Sequence, residues 1–145
     1  MSEVCQTSRS YNDSTTTCFQ THTHTVAMWL DNNVVTGGIP TEIGTMTELA
    51  SISITNSSLT GTIPSELGKL VNLRRLWLYD NDLKGTIPTQ MSLLTALEVF
   101  EVQKNALSGT MPSGICTAVN GATYESYSLL ADCSSVSCID CCTTC

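Results

Sequence analysis

The chain has 145 residues, 41% of them hydrophobic, and its 13 acidic and 6 basic side chains leave a formal net charge of −7. That length fits one domain with its own core. The acidic balance argues against nucleic acid, whose phosphates are bound by Lys and Arg, and against a polybasic lipid-docking surface. No apolar run approaches the roughly 18 residues of a membrane span, so direct membrane insertion is not expected either.

The chain opens on "MSEVCQTSRSYNDSTTTCFQ". No apolar h-region stands there, so no signal peptide is visible. Yet the chain carries eight cysteines, Cys5, Cys18, Cys116, Cys133, Cys138, Cys141, Cys142 and Cys145. They sit at both ends and are absent from the middle, as in a disulfide framework formed in an oxidising compartment. The expectation is a secreted or cell-surface protein whose leader is missing from this numbering. Cys5 and Cys18 are the only cysteines before Cys116, and their mutual pairing is the simplest option for a looped N-terminal cap over 1–24. "THTHT" puts His22 and His24 on one side of an extended segment, but without an evident third ligand it reads as a polar surface strand.

From residue 25 to 116 the sequence repeats. Ile39-Pro40, Ile63-Pro64, Ile87-Pro88 and Met111-Pro112 are spaced 24 apart (63−39, 87−63, 111−87), and Gly37, Gly61, Gly85 and Gly109 keep the same step. "LRRLWLYDNDL" from Leu73 fits L-x-x-L-x-L-x-x-N-x-L at every fixed position. "LEVFEVQKNAL", "LASISITNSSL" (with Ser57 in the Asn place) and a degenerate "TVAMWLDNNVV" are the other copies. This pattern is that of a leucine-rich repeat. The "L-x-G-x-I-P-x-x-L-G-x-L" tail resembles the plant-specific subclass, which includes receptor-like kinase ectodomains and polygalacturonase-inhibiting proteins. The expected fold is a solenoid of four 24-residue repeats with short parallel β-strands, an irregular or 3-10 convex side and disulfide-stapled caps.

The letters of one coil follow from geometry. Leu76 and Leu78 are two apart in an extended segment, so both point into the solenoid, where stacked coils form one apolar column. Asn33, Asn81 and Asn105 stand where each coil turns, ready to satisfy backbone groups that leave the strand ladder. Ser57 is shorter and makes the second copy the weakest rung.

Function must then lie in the letters that change. On the concave face one column reads Ala27, Ser51, Arg75, Val99; the next reads Trp29, Ser53, Trp77, Glu101; the third reads Asp31, Thr55, Tyr79, Gln103. Both tryptophans of the chain fall in one outward column. With strands about 4.8 Å apart, Trp29 and Trp77 are expected roughly 10 Å apart, with a gap over Ser53 that could grip an inserted side chain or a sugar ring. Trp, Tyr and Arg are typical binding anchors, so Trp29, Asp31, Ser53, Thr55, Arg75, Trp77, Tyr79 and Glu101 form the candidate site. The plainer alternative buries Trp29 under a terminal cap, and leaves Arg74 and Arg75 beside Glu98 and Glu101 as a solvated charge cluster.

Glu42 and Glu66 occupy matching places in consecutive copies, too close for a glycosidase carboxylate pair. No nucleophile elbow, phosphate-binding loop or paired metal-ligating histidines on a helix are present. No enzyme and no cofactor are expected. Two sequons, at Asn12 and Asn56, are candidate glycosylation sites, and a glycan on Asn56 would crowd the concave face.

The last segment, 117–145, is a Cys-rich C-terminal cap. Cys138-x2-Cys141 and Cys142-x2-Cys145 abut without the loop usual between zinc-binding units, which favours disulfides over zinc. The "LLADC…C..CC..C" ending resembles secreted or surface leucine-rich-repeat proteins of diatoms and related algae. The leucine-rich-repeat resemblance implies a non-catalytic recognition module for a protein, peptide or carbohydrate ligand. Its alternatives are a self-associating component of a surface layer or filament, and an inhibitor of a secreted hydrolase.

Overall fold

The computed structural model describes the backbone over residues 5–10, 13–18, 26–121, 128–131 and 136–137, with side chains over 27–119 and at Ala131 and Val136. Strands β1 (Cys5–Ser10) and β2 (Asp13–Cys18) form an antiparallel pair. The repeats then alternate short strands of two sheets: β3 (Val26–Trp29), β4 (Thr36–Gly37), β5 (Leu49–Ser53), β6 (Ser58–Leu59), β7 (Arg75–Trp77), β8 (Lys84–Thr86), β9 (Val99–Glu101) and β10 (Ala106–Thr110). Helix α1 (Ser113–Gly121) and strands β11 (Ser128–Leu130) and β12 (Val136–Ser137) follow. The concave sheet is parallel in the order β11-β9-β7-β5-β3, and β4-β6 and β8-β10-β12 form two smaller sheets. This is the expected leucine-rich-repeat solenoid.

Registration follows the sequence step. Met28, Ile52, Leu76 and Phe100 are successive partners across the concave strands, and all four are buried. Leu76 and Leu78 are both fully buried, as parity requires. Around them Leu49, Leu73 and Leu97, then Leu59, Leu83 and Leu107, build the rest of one continuous core.

The proline-glycine phrase shapes the far side of each coil. Pro40, Pro64 and Pro88 hold φ of −70°, −73° and −62° and lead into 3-10 turns over Thr41–Thr45, Ser65–Lys69 and Thr89–Leu93. Three residues earlier in each copy, Gly37, Gly61 and Gly85 take φ of +89°, +78° and +82°, the left-handed region that favours glycine. In the fourth copy the turn becomes helix α1, because Ile115 and Val119 recur at i, i+4 and bury the same face.

Within 117–145, expected only as a cap, the two described strands extend the sheets of the solenoid. β11 adds a fifth strand to the concave sheet, and β12 pairs with β10. Leu129 lies opposite Phe100, a step of 29 (129−100) instead of 24, because α1 lengthens that coil. At the other end the first coil leaves an apolar cleft of about 370 Å³ lined by Met28, Leu30, Val35, Ile39, Ile43 and Met46 among others.

Candidate concave-face site

Each coil turns out of its concave strand by one residue in left-handed conformation: Asn32, Asn56, Asp80 and Lys104 have φ of 56°, 46°, 60° and 56°. Asn and Asp tolerate this region better than most residues. The next position carries the ladder side chain. Asn81 Nδ2 donates to the carbonyls of Ile54 (2.8 Å) and Leu78 (3.1 Å), and its Oδ1 accepts from the Leu59 N–H (3.1 Å). Asn105 repeats the arrangement one coil later, with Leu78, Val102 and the Leu83 N–H. Each of these residues thus ties its own coil to the previous one. The Ser57 hydroxyl makes only a local bond to the Thr55 carbonyl (3.2 Å), so the second rung lacks a side-chain tie across coils, although the Ser57 N–H reaches the Asp80 carbonyl (3.3 Å). Asn33 departs from expectation: it is exposed, and among the described residues its side chain bonds only the Asp31 carbonyl (3.1 Å).

These turns fix the strands that present the candidate residues. Register places Trp29, Ser53, Trp77 and Glu101 in one row across four strands. The two indoles do not stand roughly 10 Å apart. Their centroids are 5.5 Å apart with planes tilted by 31°, within the range aromatic pairs favour. Small Ser53 lets both side chains lean over it and meet, burying apolar surface. The expected gap is closed, so nothing can be gripped between the rings, and only their outward surfaces are available. Trp29 is 56% exposed and Trp77 is half-buried, and the side chains of the terminal cap that would bury Trp29 lie outside the described residues.

Ser53 and Thr55 were candidate ligand contacts and lie instead beneath the surface, both buried. Their polar groups are spent on Asp31. One carboxylate oxygen, Oδ1, accepts from Ser53 Oγ (2.5 Å), the Thr55 N–H (2.9 Å) and Thr55 Oγ1 (2.8 Å). Asp31 is therefore a brace between the first two concave strands, fixed beside Trp29. Arg75 and Tyr79 flank Trp77 on the same face, exposed and half-buried respectively.

The cations on this side have neighbours already. Arg74 reaches Glu98 at 2.8 Å, Arg75 meets the other oxygen of Glu98 at 3.9 Å, and Lys104 lies 3.5 Å from Asp80. The Glu101 carbonyl accepts from the Leu78 N–H (2.8 Å), but its carboxylate, half-buried next to Trp77, has no ion-pair or hydrogen-bond partner among the described residues. Asn56 is exposed, and its Nδ2 donates to Asn32 Oδ1 (2.7 Å), a bond between successive turn residues that the sequon alone does not suggest. Glu42 is exposed on the far side of the coil and takes no part in the concave face.

Cys116 is disulfide-bonded. Cys5 and Cys18 are directly opposite in the register of β1 and β2. Asn12, His22, His24, Cys133, Cys138, Cys141, Cys142 and Cys145 lie outside the described residues. Among the described residues no group of three metal-ligating side chains comes together, and no helix is long and apolar enough to cross a membrane.

Comparison with known proteins agrees with this architecture. The Leucine Rich Repeat family model matches residues 72–94. No curated protein sequence matches the chain. Among solved structures, the BIR2 ectodomain from Arabidopsis thaliana is 32% identical with a TM-score of 0.65, over 81% of this chain and 59% of that one. The Arabidopsis receptor kinase HAESA, solved with the peptide hormone IDA and the co-receptor SERK1, is 30% identical with a TM-score of 0.63, over 77% of this chain and 18% of that one. A plant ice-binding protein is 31% identical with a TM-score of 0.61, over 72% and 34%. The chain therefore spans less than two thirds of each of these relatives. Plant leucine-rich-repeat ectodomains are the proteins it is similar to, and the solenoid is its fold.

Proposed function

We propose that this protein is an extracellular, non-catalytic recognition module that binds a peptide or protein on its concave sheet. The observation that carries this reading is the exposed indole pair. Two tryptophans at equivalent places of different coils meet on the open face, although the core beneath is complete without them. An indole left 56% exposed adds little to the fold, whereas covered by a partner it becomes the kind of anchor that dominates interfaces. HAESA, similar in fold, was solved with a peptide hormone and a co-receptor, which supports a peptide or protein as the ligand. The ice-binding relative is a reminder that the fold alone does not fix the role.

The test is to display the secreted protein against extracellular peptides and proteins and compare it with Trp29→Ala. A specific, saturable ligand should weaken at least roughly tenfold, the equivalent of about 1.4 kcal/mol, with the melting temperature nearly unchanged. Glu42→Ala, on the far side, should leave binding as it was. Equal binding by Trp29→Ala would remove the concave face from consideration. Concentration-dependent growth in light scattering, without any such ligand, would support the surface-layer reading instead.

A further inference from the structure

We infer that the outer face of the Trp29–Trp77 pair, together with Glu101, is a subsite for a single cationic side chain, lysine or arginine, of a peptide ligand. This rests on the concave-face reading above and narrows it. The aromatic half of the argument is the closed ring pair. At 5.5 Å the indoles present outward π surfaces and no slot, and such surfaces attract a cation placed over them.

The electrostatic half is the position of unmet charge. Glu101 is the residue opposite Trp77 on the next strand, about 4.8 Å away across the ladder. It is half-buried, and its carboxylate has no cation or hydrogen-bond donor among the described residues. Two residues along, Gln103 Oε1 is buried and also lacks a donor among them. This corner of the face thus has acceptors to fill. On the other flank Asp31 is pinned beside Trp29 by three hydrogen bonds to one oxygen.

The remaining charges argue for one cation rather than a run of them. Arg75 stands on the same face two residues before Trp77, with Arg74 beside it and Glu98 shared between the two. A second ligand cation two residues earlier along the face would meet that guanidinium, which already lies 3.9 Å from Glu98. Lys104 is held near Asp80 at the strand ends. The net charge of −7 favours approach of a positively charged peptide from a distance.

Both tryptophans of the chain are in this pair, so fluorescence excited selectively at tryptophan reports on the subsite. The test titrates the folded protein with Ac-Gly-Gly-Arg-Gly-Gly-NH2, with the matching glutamine peptide and with cellohexaose. A saturable change with the arginine peptide only is expected. It should weaken at least fivefold in Glu101→Gln, a variant that keeps the side-chain volume, and stay unchanged in Glu66→Gln on the far side. An equal response to the glutamine peptide, a response only to cellohexaose, or equal weakening by Glu66→Gln each overturns the inference. So does silence with all three probes. A concave-face ligand found by the Trp29→Ala comparison would in those cases leave the recognition reading standing without the cationic subsite.

Discussion

Asp31 illustrates how a residue chosen as a binding contact becomes a support. Its Oδ1 holds two hydroxyls and one backbone N–H of the neighbouring coil. Asp31→Ala would leave buried donors unmet at Ser53 and Thr55, and should cost about 1–3 kcal/mol; a chemical-denaturation midpoint matching the parent would show that water replaces the brace. Leu76 is the opposite kind of residue, fully buried between coils. Leu76→Ala should cost about 2–5 kcal/mol through the cavity it leaves, and a melting temperature within a degree or two of the parent would contradict that. Parity made Leu76, Leu78 and the outward Trp77 legible in the sequence, because alternation in a strand depends on nothing else. The meeting of the indoles was not legible. It depends on rotamers that lean over Ser53, and strand spacing says nothing about rotamers.

Between residues and molecule stands the coil, and its stability is a matter of how closely one coil approaches the next. The Asn81 side chain makes buried cross-coil bonds on both its amide nitrogen and its oxygen, whereas the Ser57 hydroxyl makes none across coils. Ser57→Asn should therefore add a rung and raise stability by about 0.5–1.5 kcal/mol, read as a higher melting temperature. On the far side, a Cβ on Gly68 would come within 2.8 Å of the Gln90 carbonyl carbon, which is backbone and cannot turn aside. Gly68→Ala should then cost about 1–3 kcal/mol by overpacking. At the matching place of the third copy, Ser92 is accepted because Gly114 faces it. The 24-residue step revealed these four copies and their turns in sequence. It could not reveal β11, because α1 stretches that coil to a step of 29 and shifts the strand out of phase. The left-handed turn residues were likewise half-hidden: Asn32, Asn56 and Asp80 suit the conformation, but Lys104 does not announce it.

A solenoid has two ends, and the whole molecule depends on closing them. The first coil leaves an apolar cleft of about 370 Å³. Residues 1–24 are the segment we expect to cover it, so their deletion should lower the melting temperature and raise binding of a hydrophobic dye; unchanged values would deny that role. Directly opposed residues of an antiparallel pair have Cα atoms about 4.5–5.5 Å apart, within disulfide reach, which suits Cys5 and Cys18. We expect alkylation of the native protein without reductant to add no mass, and free thiols or bound zinc would mean the cysteines do other work. The ring pair, finally, ties recognition to counting. Trp29 and Trp77 meet because one coil, with its small Ser53, separates their strands. Duplication of that coil would be harmless to the core, since each unit packs only on its neighbours. It would carry the indoles a further ~4.8 Å apart and dissolve the pair. A lineage that lengthened this solenoid between those strands would keep the fold and lose the site, whereas growth beyond β9 would cost the aromatic pair nothing.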